Sequence, residues 1–278
     1  MLALAVGVLV MTAILAGAPM YLSTVESLGL RSTLDTLSAS HRNMQVVVDE
    51  LPLTDISVSA ATDRVDTVLD ELGDLVVNVN QASNTRGHFW AIDPETIRGG
   101  PKSDIAVLHR FDGFLDEVEM VEGRAPLSIV SEEDTHRVAE VVVPAERAAR
   151  LEIEVGSEIW LTPNPVDPPY LMVRVVGLFS PKDIDAEFWV GLGPEVTEPG
   201  RPAPTARYML PLFFTRDGLF RSVTGGAASI GKSRWLVYLD PGLLERQSPA
   251  FTAEQVDSVG HELRRGLPES KAIWALEN

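Results

Sequence analysis

Cysteine is absent from this 278-residue chain. Without thiols the protein forms no disulfide bond, no thiolate metal site and no cysteine nucleophile. Histidine is also scarce, and its five copies show no HExxH or other metal-ligand spacing. We therefore expect neither a metal site nor a bound cofactor.

Basic residues are few as well. The chain has 23 Lys and Arg against 40 Asp and Glu, for a formal net charge of −17. Nucleic-acid binding needs clustered cations to neutralise phosphates, so no nucleic-acid partner is expected. The acidic run Glu132, Glu133 and Asp134 lies in a polar stretch typical of a solvated loop. No catalytic set is recognisable, and we expect a protein that is not an enzyme.

The first 22 residues contain no charged side chain. As a helix this segment is roughly 33 Å long, which matches a hydrocarbon core of about 30 Å. A cleaved signal peptide is the alternative, because Ala16-Gly17-Ala18 resembles a cleavage site. The long apolar stretch, the missing basic flank and Pro19 favour a retained transmembrane helix over residues 1–22. We expect a cell-membrane protein whose bulk lies outside the cytoplasm.

Residues 23–42 are predicted to continue the membrane helix as a stalk, and residues 43–278 to form an extracytoplasmic domain of the α+β (mixed α/β) class. Strand 43–51, helix 59–73 and strand 74–80 predict a β-α-β unit. Segments 157–161 and 170–179 flank a proline-rich turn and predict a hairpin. Thr252 and Gln255 are typical of a capping box that opens a helix. Val256, Val259 and Leu263 are predicted on its apolar face, and Gly266 and Pro268 are predicted to end it. We expect two α/β subdomains, the second spanning about residues 120–190.

The segment GAASIGKS matches the phosphate-loop pattern at Gly226, Gly231, Lys232 and Ser233. Such a loop binds phosphate only when a buried strand leads into it and a helix begins at its Gly-Lys-Ser end. Here the strand-like run RWLVYLD follows at once, and Asp240 comes too soon for a helix to intervene. We interpret the match as chance, in a loop that enters a strand, with no nucleotide cofactor.

Three segments between residues 118 and 190 occur in a familiar order: VEGRAP, then AEVVVPAERAARLEIEVGSEIWL, then VRVVGLFSPKDIDAEFW. Together with the leading apolar segment, this order resembles the extracytoplasmic core domain of MacB-like, FtsX-type ABC transporter permeases. The matching positions include Gly123, Arg124, Pro126, Gly156 and Gly177. Ser157 stands where the family usually has Asp. We interpret these residues as fold markers rather than as a binding site.

The resemblance implies that a separate cytoplasmic ABC ATPase subunit binds nucleotide and drives a permease that assembles as a dimer in the lipid membrane. The extracytoplasmic domain would engage a substrate or partner. Further membrane helices would follow it, so the sequence is expected to be the N-terminal part of a permease. The alternative is a single-span or secreted binding or sensor protein without a transport role.

Overall fold

The structure, a computed structural model, describes residues 43–97, 105–128, 130–133, 136–184, 186–189, 209–224, 229–244, 249–267 and 270–274. The predicted membrane helix (1–22) and stalk (23–42) lie outside these residues. None of the helices within the described ranges has the length and apolar character needed to cross a membrane.

The described chain contains both strands and helices, as expected for the α+β (mixed α/β) class. In chain order the elements are β1 (Met44–Pro52), α1 (Asp55–Leu69), β2 (Val76–Thr85), β3 (His88–Ala91), β4 (Ile105–Phe111), β5 (Val118–Gly123), β6 (Val130–Glu133), β7 (His136–Pro144), α2 (Ala145–Leu151), β8 (Glu158–Thr162), β9 (Leu171–Pro181), β10 (Met209–Phe213), α3 (Arg216–Val223), β11 (Ile230–Leu239), α4 (Pro241–Leu244), α5 (Pro249–Gly266) and β12 (Ser270–Trp274).

The first and last strands form one four-stranded unit. Its strand order is β12-β1-β11-β2, and each neighbouring pair is antiparallel. The predicted β-α-β unit is present, but β11 lies between β1 and β2 and makes it a split unit. Helices α1 and α5 contact each other, and both contribute side chains to the main core. This unit therefore joins residues that are about 200 positions apart in sequence.

Helix α1 shows how the sequence sets a local element. The Thr54 side chain accepts a hydrogen bond from the Ser57 N–H at 3.1 Å and caps the first turn. The spacing of Val65, Val68, Leu69 and Leu72 predicted a buried stripe, and all four side chains are buried. Within α1, Val58 and Ala61 are buried as well. The predicted end at Gly73 is wrong, because the α-helix ends at Leu69 and a 3₁₀ turn follows. Gly73 lies within that turn, where its φ of 53° reverses the chain toward β2.

The middle of the chain closes into a ring of strands. The ring order is β4-β3-β8-β9-β7-β10, and β10 returns to pair with β4 in parallel. The predicted hairpin is confirmed, because β8 and β9 pair antiparallel. Apolar side chains of these strands fill the main core. The ring draws on residues 88–213, a wider range than 120–190, and shares one sheet with the four-stranded unit; the division into two subdomains remains a prediction.

Helix α5 differs from its predicted start. It begins at Pro249, three residues before Thr252, so the predicted capping box is wrong: Thr252 lies inside the helix rather than at its N-cap. The predicted end is confirmed at Gly266. Val259 and Leu263, which were predicted on its apolar face, are buried in the core.

Candidate functional site

The described part of the phosphate-loop match is a strand. Gly231, Lys232 and Ser233 are consecutive residues of β11, whereas Gly226 lies outside the described residues. Successive side chains of a strand point to opposite faces of the sheet. A nucleotide site instead needs backbone N–H groups that converge at the start of a helix. The sequence predicted a loop that enters a strand at Arg234; the strand instead begins at Ile230, because Gly231, Lys232 and Ser233 already pair with β1 and β2.

The signature side chains of this match bind other parts of the protein. Lys232 Nζ lies 2.9 Å from Asp49 Oδ1 on β1. Ser233 Oγ lies 2.8 Å from Ser83 Oγ in the buried interior. Asp240 accepts hydrogen bonds from the backbone N–H groups that follow it, at 2.7 and 3.0 Å, and so caps α4. Each of these groups therefore has a structural role.

A groove of about 320 Å³ opens beside Lys232. We call it the polar groove, and define it by its lining residues: Asp49, Glu50, Asn84, Thr85, Arg86, Gly231 and Lys232. They come from the adjacent ends of β1, β2 and β11 and from the connection that leads to β3. Its members lie far apart in sequence, and only Gly231 and Lys232 belonged to a recognised motif.

Backbone irregularity shapes the polar groove. The pairing of β1 with β11 shifts register between Val48 and Leu51, which is a β-bulge. Within it Glu50 has a φ of +61°, a conformation that costs a non-glycine residue about 1–2 kcal/mol. The Glu50 carboxylate forms an ion pair with Arg86. Opposite them, a Cβ at Gly231 would overlap the carbonyl oxygen of Asn84, so glycine permits the close approach of β2.

Three of the predicted fold markers meet in the ring. Gly123 of β5 and Gly177 of β9 are Cα partners. A Cβ on Gly177 would overlap the carbonyl oxygen of Arg124, and one on Gly123 would overlap that of Val176. The Arg124 N–H donates to the Val176 carbonyl at 2.9 Å. Because neither glycine has a Cβ, the backbone at the end of β5 can lie in close contact with the backbone of β9.

Arg124 connects this contact to a third strand. Its guanidinium donates two hydrogen bonds to the Glu140 carboxylate of β7, at 2.7 and 2.5 Å. The Leu127 N–H donates to the same carboxylate at 2.9 Å. The Arg124 guanidinium holds the pKa of Glu140 below its ordinary value, with the Leu127 N–H as a weaker cause and partial burial opposing both. This arrangement fixes the chain after β5.

The two remaining markers are Pro126, two residues after Arg124, and Gly156. Pro126 is buried. Gly156 has a φ of +96° and donates its N–H to the Val175 carbonyl at 2.7 Å. Ser157, the departure from the family pattern, accepts a hydrogen bond from the Glu154 N–H. Gly156 and Ser157 thus shape the turn before β8.

Buried polar residues form a feature that the sequence analysis missed. His88 Nε2 lies 3.0 Å from the Tyr170 hydroxyl, and the Thr85 hydroxyl lies 3.4 Å from His88 Nδ1. Burial lowers the pKa of His88 to about 4, and burial raises the pKa of Tyr170. Both groups are therefore neutral near pH 7. Alternation along β2 and β3 could have predicted that Thr85 and His88 point inward, but not that Tyr170 lies against His88.

A second buried group lies on β4. Arg110 donates to Gln81 at 2.7 Å and forms an ion pair with Asp112. The next residue back, His109, stacks on Phe213 with ring centroids 5.3 Å apart. Burial, and next the charge of Arg234, lower the pKa of His109 to about 3. These groups join β4 to β2, and so join the ring to the four-stranded unit.

Acidic side chains do not converge on a metal geometry in the described ranges, where no group of three or more His, Asp or Glu could hold an ion. Glu132, Glu133 and Asp134 remain predicted to be solvated, since their side chains lie outside the description.

The two ends of the four-stranded unit differ in the chain segments that they connect. At one end, the first described strand and the last are antiparallel neighbours, and Met44 pairs with Trp274. At the other end, the chain leaves β2 after Thr85 for the ring and returns to β11 at Ile230. The chain therefore enters and leaves this unit side by side, opposite the connections to the ring.

Among known proteins, this chain is similar to solved structures. No family model matches the chain, and no curated protein sequence matches it. Among solved structures, the periplasmic region of MacB from Actinobacillus actinomycetemcomitans is similar, with 13% identity and a TM-score of 0.40. The alignment covers 85% of this chain and 91% of that one.

Proposed function

We propose that this chain is the membrane subunit of an ABC transporter. In this proposal residues 1–22 span the membrane, the described domain lies outside the cytoplasm, and a separate cytoplasmic ATPase drives the assembly. The domain has no recognised catalytic set and engages a substrate or partner mechanically.

The observation that supports the proposal most is the pairing of Met44 with Trp274. A domain inserted between two membrane helices needs both of its chain ends at one face. The antiparallel β1-β12 pair supplies this arrangement. The uncharged segment 1–22 ends about twenty residues before β1, which leaves room for the predicted stalk.

The contacts between the four-stranded unit and the ring support a mechanical role. A displacement applied at Met44 acts on a strand whose inward side chains, Val46 and Val48, are buried in the main core. The four-stranded unit is joined to the ring by the hydrogen bond from Arg110 to Gln81 and by Arg216 of α3, which contacts Asp55 and Ser59 of α1. Motion at the membrane end would therefore reach the ring through packed elements.

Membrane orientation can be tested with single cysteines, because the chain has none of its own. Val77 lies at the Met44 end and is 66% exposed, whereas Ile56 lies at the opposite end and is 84% exposed. The nine residues of β1 separate these ends by roughly 26 Å. The predicted stalk over residues 23–42 is roughly 30 Å long as a helix, so the probe must act over tens of ångströms. In full-length chains carrying V77C or I56C, a donor fluorophore at position 77 should transfer energy to acceptor-labelled lipids more efficiently than one at position 56.

Equal energy transfer at the two positions, or cleavage after Ala18 in the mature protein, would contradict the anchored arrangement. The transport role needs a second measurement. A tagged full-length chain purified from native membranes should bring with it an ATP-hydrolysing subunit, and a variant that lacks residues 1–22 should not. An anchored chain that carries no such subunit would favour the sensor alternative.

A further inference from the structure

The polar groove combines charges of both signs in a small space. Its lining includes two carboxylates, Asp49 and Glu50, and two cations, Arg86 and Lys232. We propose that the polar groove binds a small free zwitterion, an amino acid or a dipeptide. This inference is independent of the proposed transport role.

Charge balance selects the ligand class. A simple anion would be attracted by Arg86 and Lys232 but repelled by the neighbouring carboxylates. A simple cation meets the opposite conflict. A ligand that carries an ammonium and a carboxylate satisfies both sets, since its ammonium faces Asp49 and Glu50 while its carboxylate faces Arg86 and Lys232.

The existing ion pairs of the polar groove can be broken at a small cost in free energy. The side chains of Arg86 and Glu50 are 64% and 63% exposed, and those of Lys232 and Asp49 are 38% and 32% exposed. Exposed pairs of this kind contribute little net stability. The four groups can therefore exchange partners with a ligand without a large loss of folding free energy.

Size and shape limit the ligand. A volume of about 320 Å³ is near the lower end of the range for ligand pockets, and equals roughly ten water molecules in the liquid. A dipeptide fits this volume. A nucleoside triphosphate is excluded by its multiple negative charges, because the groove contains as many carboxylates as cations. The bulge at Glu50 holds one carboxylate away from the regular strand, in a backbone conformation that the ladder itself does not require.

The test uses calorimetric titration of the detergent-solubilised full chain with glycylglycine. N-acetyl-glycylglycine lacks the ammonium and glycylglycinamide lacks the carboxylate. We expect saturable binding of glycylglycine, and at least tenfold weaker binding of both blocked forms. Phosphoethanolamine, the headgroup analogue, distinguishes a lipid source from a peptide source and should bind at least tenfold more weakly than glycylglycine.

Two variants assign the contacts. Lys232→Gln should weaken glycylglycine binding at least tenfold and leave the affinity for glycylglycinamide unchanged, because that ligand has no carboxylate to lose. Glu50→Gln should weaken glycylglycine binding and spare the N-acetyl form. Arg174→Gln is the matched control, because Arg174 of β9 forms an exposed ion pair with Glu158 of β8 at 2.9 Å. This variant should bind glycylglycine as the parent protein does. An unchanged thermal midpoint shows that each variant is folded.

Three results would overturn the proposal: no saturable binding of glycylglycine, equal binding of the blocked forms, or binding of phosphoethanolamine alone. Equal loss of binding in Arg174→Gln would also contradict it, because the effect would then report general charge rather than the polar groove.

Discussion

Replacing Gly177 by alanine should be among the most damaging single-methyl changes in this protein. The added Cβ would overlap the carbonyl oxygen of Arg124 and would lie 3.1 Å from the Arg124 carbonyl carbon and nitrogen. These are backbone atoms, so a side-chain rotation cannot relieve the overlap. Strand β5 must move away from β9, and the bond from the Arg124 N–H to the Val176 carbonyl weakens.

The magnitude follows from three contributions. Overpacking of this kind costs about 1–3 kcal/mol, and a lost backbone hydrogen bond costs about 1 kcal/mol. Alanine returns about 0.4–1 kcal/mol by restricting the unfolded chain. We expect a net loss of about 2–3 kcal/mol in the free energy of unfolding. For a domain of this size that lowers Tm by about 5–10 °C.

The assay is urea unfolding of the full-length chain in detergent, followed by fluorescence of its five tryptophans. Gly156→Ala is the matched control. Its φ of +96° makes alanine strained, but no heavy atom lies within 4 Å of the added Cβ, so it should cost only about 1–2 kcal/mol. Gly177→Ala should also cost less in a Glu140→Gln background, because the displaced Arg124 then has no carboxylate partner to lose.

A cost for Gly177→Ala that does not exceed that of Gly156→Ala would refute the reasoning. Strict additivity with Glu140→Gln would show that the close glycine contact and the Arg124–Glu140 pair are energetically separate.

Three further predictions concern the buried histidines, the ring core and the phosphate-loop match. In the fold the pKa of His88 is about 4 and that of His109 is about 3, so below about pH 6.5 the unfolded chain binds more protons than the folded one. The free energy of unfolding should therefore fall from pH 7 to pH 5 by about 2 kcal/mol per histidine. In His109→Phe, urea unfolding should show about half of this pH dependence, and an unchanged pH dependence would contradict the assignment. Leu108→Ala, at a fully buried ring position, should cost about 2–5 kcal/mol in the same assay, and a cost below 1 kcal/mol would exclude a packed interior. Lys232→Ala should lower the free energy of unfolding by less than about 1 kcal/mol, and ATP should not shift the Tm of the parent protein. An ATP-dependent shift in Tm that this variant abolishes would instead show that the match is a nucleotide site.

Local features of this protein could be predicted from its sequence, because they depend on neighbouring residues. Periodicity located α1 and its buried residues Val65, Val68 and Leu69, and the flanks of the proline-rich turn located the β8-β9 hairpin. The strand composition after Ser233 was enough to identify β11 and to argue against a phosphate loop. The missing cysteines excluded disulfide bonds and thiolate sites in this sequence before any fold was considered.

The long-range arrangement was decided by tertiary structure. The position of β11 between β1 and β2, the return of β10 to β4 and the pairing of Met44 with Trp274 depend on strand edges that local patterns do not specify. The polar groove joins residues 49–50, 84–86 and 231–232, and the glycine contact joins residue 123 to 177. Such sites require backbones that are distant in sequence to approach within a few ångströms, and that approach is set by the packing of the whole core.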